Sequence, residues 1–305
     1  MNRRRFLTTS AAFGATLADL PRGLELISRA AVADTVITIL HTNDTHSQID
    51  PLPPNDANAG KGGVARRATL VKRIRKENPN TLLVDAGDVM QGTPYFNFYR
   101  GEVEYKAMSA IGYDVGTLGN HEFDNGVDAL AAALKFATFD VVSANYDVKG
   151  TVLEGRVKPY VVKTLGGIRI GLFGLGISPV ALITPANFKG ITYNDPVVSA
   201  REVVKILREK ERCALVVGMS HLGYYENGQR GDSLVASQVD GIDFIAGGHT
   251  HTFMKEPVKT KQPCGAETLI FQVGKSGINL GRVDFTFRTG KLVAASGRLL
   301  DTRNG

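Results

Sequence analysis

The chain has 305 residues, 43% of them hydrophobic, and a formal net charge of +6. Half of that excess sits in residues 1–33, which carry five Arg against one Asp and one Glu; without them the charge is +3. This excludes a nucleic-acid surface as the meaning of the basic balance, and no later apolar run is long enough to span a bilayer as a helix.

The N-terminus, Asn2-Arg3-Arg4-Arg5-Phe6-Leu7, leads into a mildly apolar stretch and then Ala31-Val32-Ala33, with Asp34 following. This is the order of a basic region, an apolar region and a small-residue cleavage site. The run Arg-Arg-x-Phe-Leu resembles a twin-arginine signal. The expectation is a signal peptide over residues 1–33, a mature domain over 34–305, and export to the periplasm or beyond by the twin-arginine route.

Strand and helix patterns then alternate. Val36–Leu40 reads as a buried strand and Pro51–Gly60 as a loop. Val64–Lys76 has apolar residues at helical spacing. A strand at Thr81–Val84, a helix at Glu102–Ile111, a strand at Asp114–Leu118, a helix at Val127–Phe136 and a strand at Asp140–Ala144 follow. Tyr160–Leu165, Gly166-Gly167 and Ile168–Phe173 predict a hairpin. Pro196–Lys210 predicts a helix, Ala214–Val217 and Asp243–Ala246 strands, and Thr268 to about Leu300 an all-β end. The order argues for a mixed-sheet α/β domain of about 270 residues. Cys213 opens an apolar run and reads as a buried thiol; sequence does not decide whether it pairs with Cys264. The aromatic run Tyr95–Tyr99 reads as helix packing or as a flank of a substrate cleft. Gly171–Gly176 lacks the third glycine of a dinucleotide turn. Gly274-Lys275-Ser276 lacks the first glycine of a phosphate loop.

Five of six histidines lie in short motifs: Asp44-x-His46, Gly119-Asn120-His121-Glu122, Ser220-His221, and Gly248-His249-x-His251. Each follows a strand, as does Gly87-Asp88. Ligands of open α/β sheets gather at such carboxyl ends. The i, i+2 pairs Asp44/His46 and His249/His251 would share a face if extended. Imidazole and carboxylate without thiolate suit Zn, Mn, Fe or Co, and two such ions suit phosphate-ester hydrolysis. His41, inside the first strand and outside any motif, reads as structural.

Together these motifs resemble the calcineurin-like metallophosphoesterase superfamily. Leu40-His41-Thr42-Asn43-Asp44 and Asn120-His121-Glu122-Phe123-Asp124 resemble, more narrowly, its 5'-nucleotidase branch. The resemblance implies a four-layer α/β/β/α sandwich of two mixed sheets, with residues 34–305 as the catalytic domain. It implies two divalent ions, the first held by Asp44, His46, Asp88 and His251, the second by Asp88, Asn120, His221 and His249, with Asp88 bridging. A metal-bridging hydroxide would be the nucleophile. His121 would be the catalytic histidine, oriented by Asp124, and Asn120 and His121 would both meet the phosphate.

The implied substrate is a small phosphate ester, a 5'-nucleotide or related phosphomonoester. Cyclic nucleotides, nucleotide sugars and sulfur-bound sulfonates are the alternatives. The exported 5'-nucleotidases carry a second, C-terminal domain that clamps the base. Its counterpart is not recognised before Gly305, so a separately encoded partner domain is a further expectation.

Overall fold

A computed structural model describes residues 34–225 and 230–304; the signal expected at residues 1–33 lies outside the described residues. The first half runs β1 (Thr35–Thr42), α1 (Val64–Glu77), β2 (Thr81–Asp85), α2 (Pro94–Tyr99), α3 (Glu102–Ile111), β3 (Val115–Thr117), α4 (Gly126–Leu134), β4 (Asp140–Val142), β5 (Tyr146–Asp147), β6 (Val157–Lys158), β7 (Tyr160–Leu165) and β8 (Ile168–Gly176). The second half runs β9 (Thr192–Tyr193), α5 (Pro196–Lys205), β10 (Leu215–His221), α6 (Gly231–Gln238), β11 (Phe244–Gly247), β12 (Val258–Lys261), β13 (Glu267–Phe271), β14 (Asn279–Arg288) and β15 (Lys291–Asp301).

Two mixed sheets result, with strand orders β15-β14-β1-β2-β3-β4-β6 and β12-β13-β11-β10-β8-β7. Strands β1, β2, β3, β4 and β6 run parallel, as do β8, β10, β11 and β13; antiparallel partners close the other edges. The all-β end divides between them. β13 joins the second sheet parallel to β11, whereas β14 returns to the first sheet beside β1.

Side-chain alternation explains the layering. Ile37 and Ile39 of β1 and Leu82 and Val84 of β2 face Leu215, Val217 and Phe244 of the second sheet. Leu40 and Leu83 point the other way, onto Leu70 and Ile74 of α1, Met108 of α3 and Leu134 of α4. On the far face of the second sheet Val216 and Ile245 meet Val203 and Val204 of α5 and Val235 of α6. Three apolar layers therefore separate four structural layers, α/β/β/α. The sheets touch at Gly174 of β8, where a Cβ would lie 2.1 Å from the Val142 carbonyl oxygen.

The expected hairpin forms, with Gly166 and Gly167 both at positive φ as a tight primed turn requires. Helix α5 continues past Lys205 through one wider turn to Lys210. Gly171–Gly176 lies inside β8 and makes no turn. Cys213 is buried, Cys264 exposed, and both are free thiols. No helix among the described residues is long and apolar enough to cross a membrane. The aromatic run is divided: Phe96 is buried, whereas Phe98 is 79% and Tyr99 52% exposed.

Candidate metal centre

Five strands deliver the motifs to one place. β1 ends two residues before Asp44, β2 three before Asp88, and β3 three before Asn120; β10 ends on His221, and β11 ends two before His249. Asp44, His46 and His251 bring one ligand atom each to within 4.8 Å of one another, and Asp88, His221 and His249 do the same.

The paired ligands do not reach the site by the strand pleat that i, i+2 spacing suggested. Asp44 (φ 51°), His46 (φ 47°), Asp88 (φ 54°), His249 (φ 75°) and His251 (φ 52°) all adopt left-handed backbone. Each costs on the order of 1 kcal/mol or more in a non-glycine residue. Tertiary hydrogen bonds hold them there. Asp44 N–H donates to Gly87 O (2.9 Å), His46 N–H to Asp88 O (3.0 Å) and Ser47 N–H to Val89 O (2.8 Å). The β1–β2 pairing thus continues into the loops as an irregular ladder. Glycine is required where these loops touch: a Cβ on Gly119 would lie 2.2 Å from Asp88 Oδ1, and one on Gly87 2.6 Å from Gly119 N.

Ring nitrogens and carboxylate oxygens crowd together here. His46 Nε2 lies 3.0 Å from His251 Nε2, and His251 Nε2 lies 3.3 Å from Asp44 Oδ1. His221 Nδ1 donates to Ala86 O (2.7 Å), which orients the ring and turns Nε2 toward the Asp88 carboxylate. That Nε2 is buried, without hydrogen-bond geometry to any partner, 3.0 Å from Asp88 Oδ2. Asp88 Oδ2 is also 4.0 Å from His46 Nε2, so it stands between the two clusters. His249 Nδ1 lies 3.1 Å from Asn120 Oδ1. Nitrogen and carboxylate lone pairs aimed at shared points are what divalent cations resolve. The donor set therefore fits two ions.

Charge gives the same answer. Asp44, Asp85, Asp88, Glu122 and Asp232 are all buried around this end of the sheets. Burial raises Asp85 and Asp232 to about 7, and burial with the Asp88 charge raises Glu122 to about 6. Burial pushes Asp88 up too, but His221 outweighs it and holds Asp88 low. Such an excess of buried acid is costly without cations.

His121 and Asp124 form a separate pair at the rim. His121 Nδ1 lies 2.8 Å from Asp124 Oδ2, and the His121 ring sits edge-on to His46, centroids 5.5 Å apart. The Asp124 hydrogen bond raises the His121 pKa against partial burial. All nine site residues expected from sequence meet here, and His41 does not. It lies in the inter-sheet core with neither ring nitrogen hydrogen-bonded, packed edge-on against Phe244 and Phe271.

Sequence reasoning missed the supports. The Glu122 carboxylate accepts N–H bonds from Asp88 (3.0 Å), Val89 (2.8 Å), Met90 (3.3 Å) and Gly119 (2.5 Å), tying the β2 and β3 loops together. Asn43 donates to Asp44 Oδ2 and Gly274 O, both at 2.6 Å. Ser276 N–H donates to Asp44 O (2.8 Å), so the Gly274-Lys275-Ser276 segment buttresses the first ligand loop. Gln272 bonds Asp232 (3.2 Å) and Gly248 O (2.8 Å) under the histidine loop. Glu122 and Asn43 lay inside the motifs and were findable; Gln272 and Asp232 carry no local signal.

Two stacked mixed sheets thus carry a two-ion donor set at their strand ends. The family description "calcineurin-like phosphoesterase" matches residues 37–253. The chain is 33% identical over 321 residues to Protein UshA of Yersinia enterocolitica, covering 96% of this chain and 56% of that protein. It is 33% identical over 285 residues to the trifunctional nucleotide phosphoesterase YfkN of Bacillus subtilis, covering 82% of this chain and 18% of that one. It superposes on the 5'-nucleotidase precursor of Thermus thermophilus with a TM-score of 0.78 at 36% identity, over 87% of this chain and 54% of that one. The chain belongs to the calcineurin-like phosphoesterase family. It spans about half the length, or less, of these relatives.

Proposed function

We propose that the protein releases phosphate from 5'-nucleotides or closely related phosphomonoesters in a reaction that depends on two divalent ions. The carrying observation is the convergence of Asp44, His46 and His251 with Asp88, His221 and His249 at one end of the sheets. Relatives named as nucleotidases support the substrate class. Asp44, His46, Asp88 and His251 would hold one ion, and Asp88, Asn120, His221 and His249 the other. Mn, Zn, Fe and Co all accept such ligands. Bound ions supply Lewis acidity toward the phosphoryl oxygens and lower the pKa of coordinated water.

The chain's own groups do the rest. The His121 Nδ1 proton is held by Asp124 (2.8 Å), which orients the ring and favours its protonated form. The ring lies edge-on to His46, and its Nε2–H would donate to the departing ester oxygen. Asn120, 3.1 Å from His249, offers its amide to the phosphate edge.

The test is phosphate release by the purified chain, loaded in turn with Mn, Zn, Co and Fe. The panel covers nucleotides, sugar nucleotides and cyclic nucleotides. Turnover greatest on 5'-nucleotides is expected; no metal-dependent release from any ester would overturn the reading. The partial coverage of relatives favours one second reading, that another domain reads the base. High nucleotide activity of this chain alone would count against it.

Export as a twin-arginine substrate, with cleavage after Ala33, belongs to the same proposal. The residue order Arg3-Arg4-Arg5-Phe6-Leu7 supports it. Replacing Arg3 and Arg4 by Lys should then retain the protein in the cytoplasm, read by fractionation.

A further inference from the structure

Asp124 stands at the end of a single turn of helix, His121–Phe123. A turn this short has few bonds of its own to stiffen it. Its Asp124 N–H donates to His121 O at 3.2 Å, and the Asp124 carboxylate meets His121 Nδ1. Where that carboxylate sits, and with it the ring it orients, depends on where the Asp124 backbone is held.

The hold comes from the other sheet. After β8 the chain leaves the second sheet and crosses a loop in which Val180 is 79% and Leu182 46% exposed. It then makes one turn at Pro185–Phe188. Two adjacent residues of that turn reach the His121–Asp124 segment. Phe188 packs edge-on against Phe123, centroids 4.8 Å apart, and against Tyr146 at 5.1 Å. Asn187 Nδ2 donates to Asp124 O (2.7 Å). Asn187 also lies against Gly126, which turns the chain into α4 at φ 84°; a Cβ on Gly126 would lie 3.7 Å from Asn187 Oδ1. The near end of the loop is fixed as well. Asn145 exchanges two 2.8 Å hydrogen bonds with Gly176, and Tyr146 hydroxyl donates to Ile177 O. Phe188 thus supplies buried apolar contact, and Asn187 a directed bond.

We propose that Asn187 is a positioning residue of the reaction: it fixes the Asp124 backbone, and through the Asp124 carboxylate the angle at which His121 presents its proton to the leaving oxygen. The proposal rests on the phosphoesterase reading, with His121 as proton donor, and adds a group supplied from the second sheet. Asn187 lies outside every histidine motif. A nucleoside 5'-oxygen needs a proton as its bond to phosphorus breaks, whereas p-nitrophenolate leaves without one. A misaimed His121 therefore harms the first reaction far more than the second.

The test compares the wild type with Asn187→Ala and with Asn187→Asp, which keeps the shape and removes the donor, in the full, metal-loaded chain. Phe188 still seats the loop, and Asn187→Asp carries the test if the truncation unfolds. On AMP, kcat should fall about tenfold in both variants, with KM and bound metal near wild type. On p-nitrophenyl phosphate the loss should be about twofold. In a His121→Ala background, Asn187→Ala should cost almost nothing more, because its effect passes through the ring. Equal losses on the two esters, a full tenfold loss on top of His121→Ala, or loss of metal would make Asn187 a structural residue and overturn the proposal. Unchanged AMP turnover overturns it too. If the wild type does not hydrolyse AMP, the nucleotidase reading fails by itself. Crystal structures then decide the hold: an Asp124 carboxylate displaced from His121 in Asn187→Asp supports it, and an unmoved pair overturns it.

Discussion

His41 and His221 are both completely buried, both on central strands, and behave in opposite ways. Burial alone pushes His41 down to about 3. Burial opposes charge on His221 too, yet the Asp88 and Asp44 carboxylates hold it up at about 10. His41 meets Phe244 and Phe271, and Gly281 across the ladder leaves room for its ring. His221 meets a backbone acceptor on one edge and a carboxylate on the other. Depth in the protein therefore does not make a histidine a ligand. Convergence of carboxylates on its second nitrogen does.

The largest effect should come from removing that convergence. Asp88→Asn takes away the shared carboxylate. Phosphate release should fall at least about 10³-fold and bound metal should drop, read by elemental analysis. Unchanged metal content would mean that Asp88 does not stand between the ions.

Next is the residue beside the cluster that is not counted among its ligands. His121→Ala should lower kcat about 10²- to 10³-fold while both ions remain. Loss of metal would move His121 to the ligand side of the comparison. Glu122→Gln is expected to be milder. It puts an amide donor against backbone N–H groups of the β2 and β3 loops, and metal affinity should weaken about 10- to 100-fold. A titration with Mn or Zn checks this, and an unaltered affinity would reduce Glu122 to a bystander.

Activity should change least in His41→Leu. Because the folded pKa of His41 lies below its unfolded value of about 6.5, its stabilising contribution is present above pH 6.5 and is lost as pH falls toward 3. The variant should therefore gain stability over the wild type by roughly 1.4 kcal/mol per pH unit below 6.5. Urea unfolding across pH 4.5–7.5 measures it; a constant difference would show that His41 is not kept neutral.

Much of the site was legible because its chemistry is local in sequence. Each ligand sits close behind the end of a strand that periodicity marks, so the grouping of Asp44, Asp88 and His249 follows from the order of residues alone. Spacing misled only about the cause. Asp44 and His46 share a site through left-handed turns zipped to residues 87–89, not through a pleat. The short strands β5, β6, β9 and β12 went unread; they sit at sheet edges or in a separate two-stranded ladder. The division of the all-β end was hidden for another reason. β13 is a short continuous apolar run and β14 an alternating one, and which sheet each joins depends on partners far away in sequence. The Asp232–Gln272 support is non-local in the same way.

The return of β14 to β1 has a meaning for biosynthesis. β1 emerges from the ribosome near the start of the domain, yet its antiparallel partner Asn279–Arg288 is made roughly 240 residues later. Until then one edge of a strand bearing Ile37, Ile39 and Leu40 has no neighbour, and the Asp44 loop it carries lacks the Gly274–Ser276 buttress. At translation speeds of about 5–20 residues per second that interval is on the order of tens of seconds. The nascent chain must be shielded from edge-to-edge association for that time, and the ion pocket closes only when the last strands arrive.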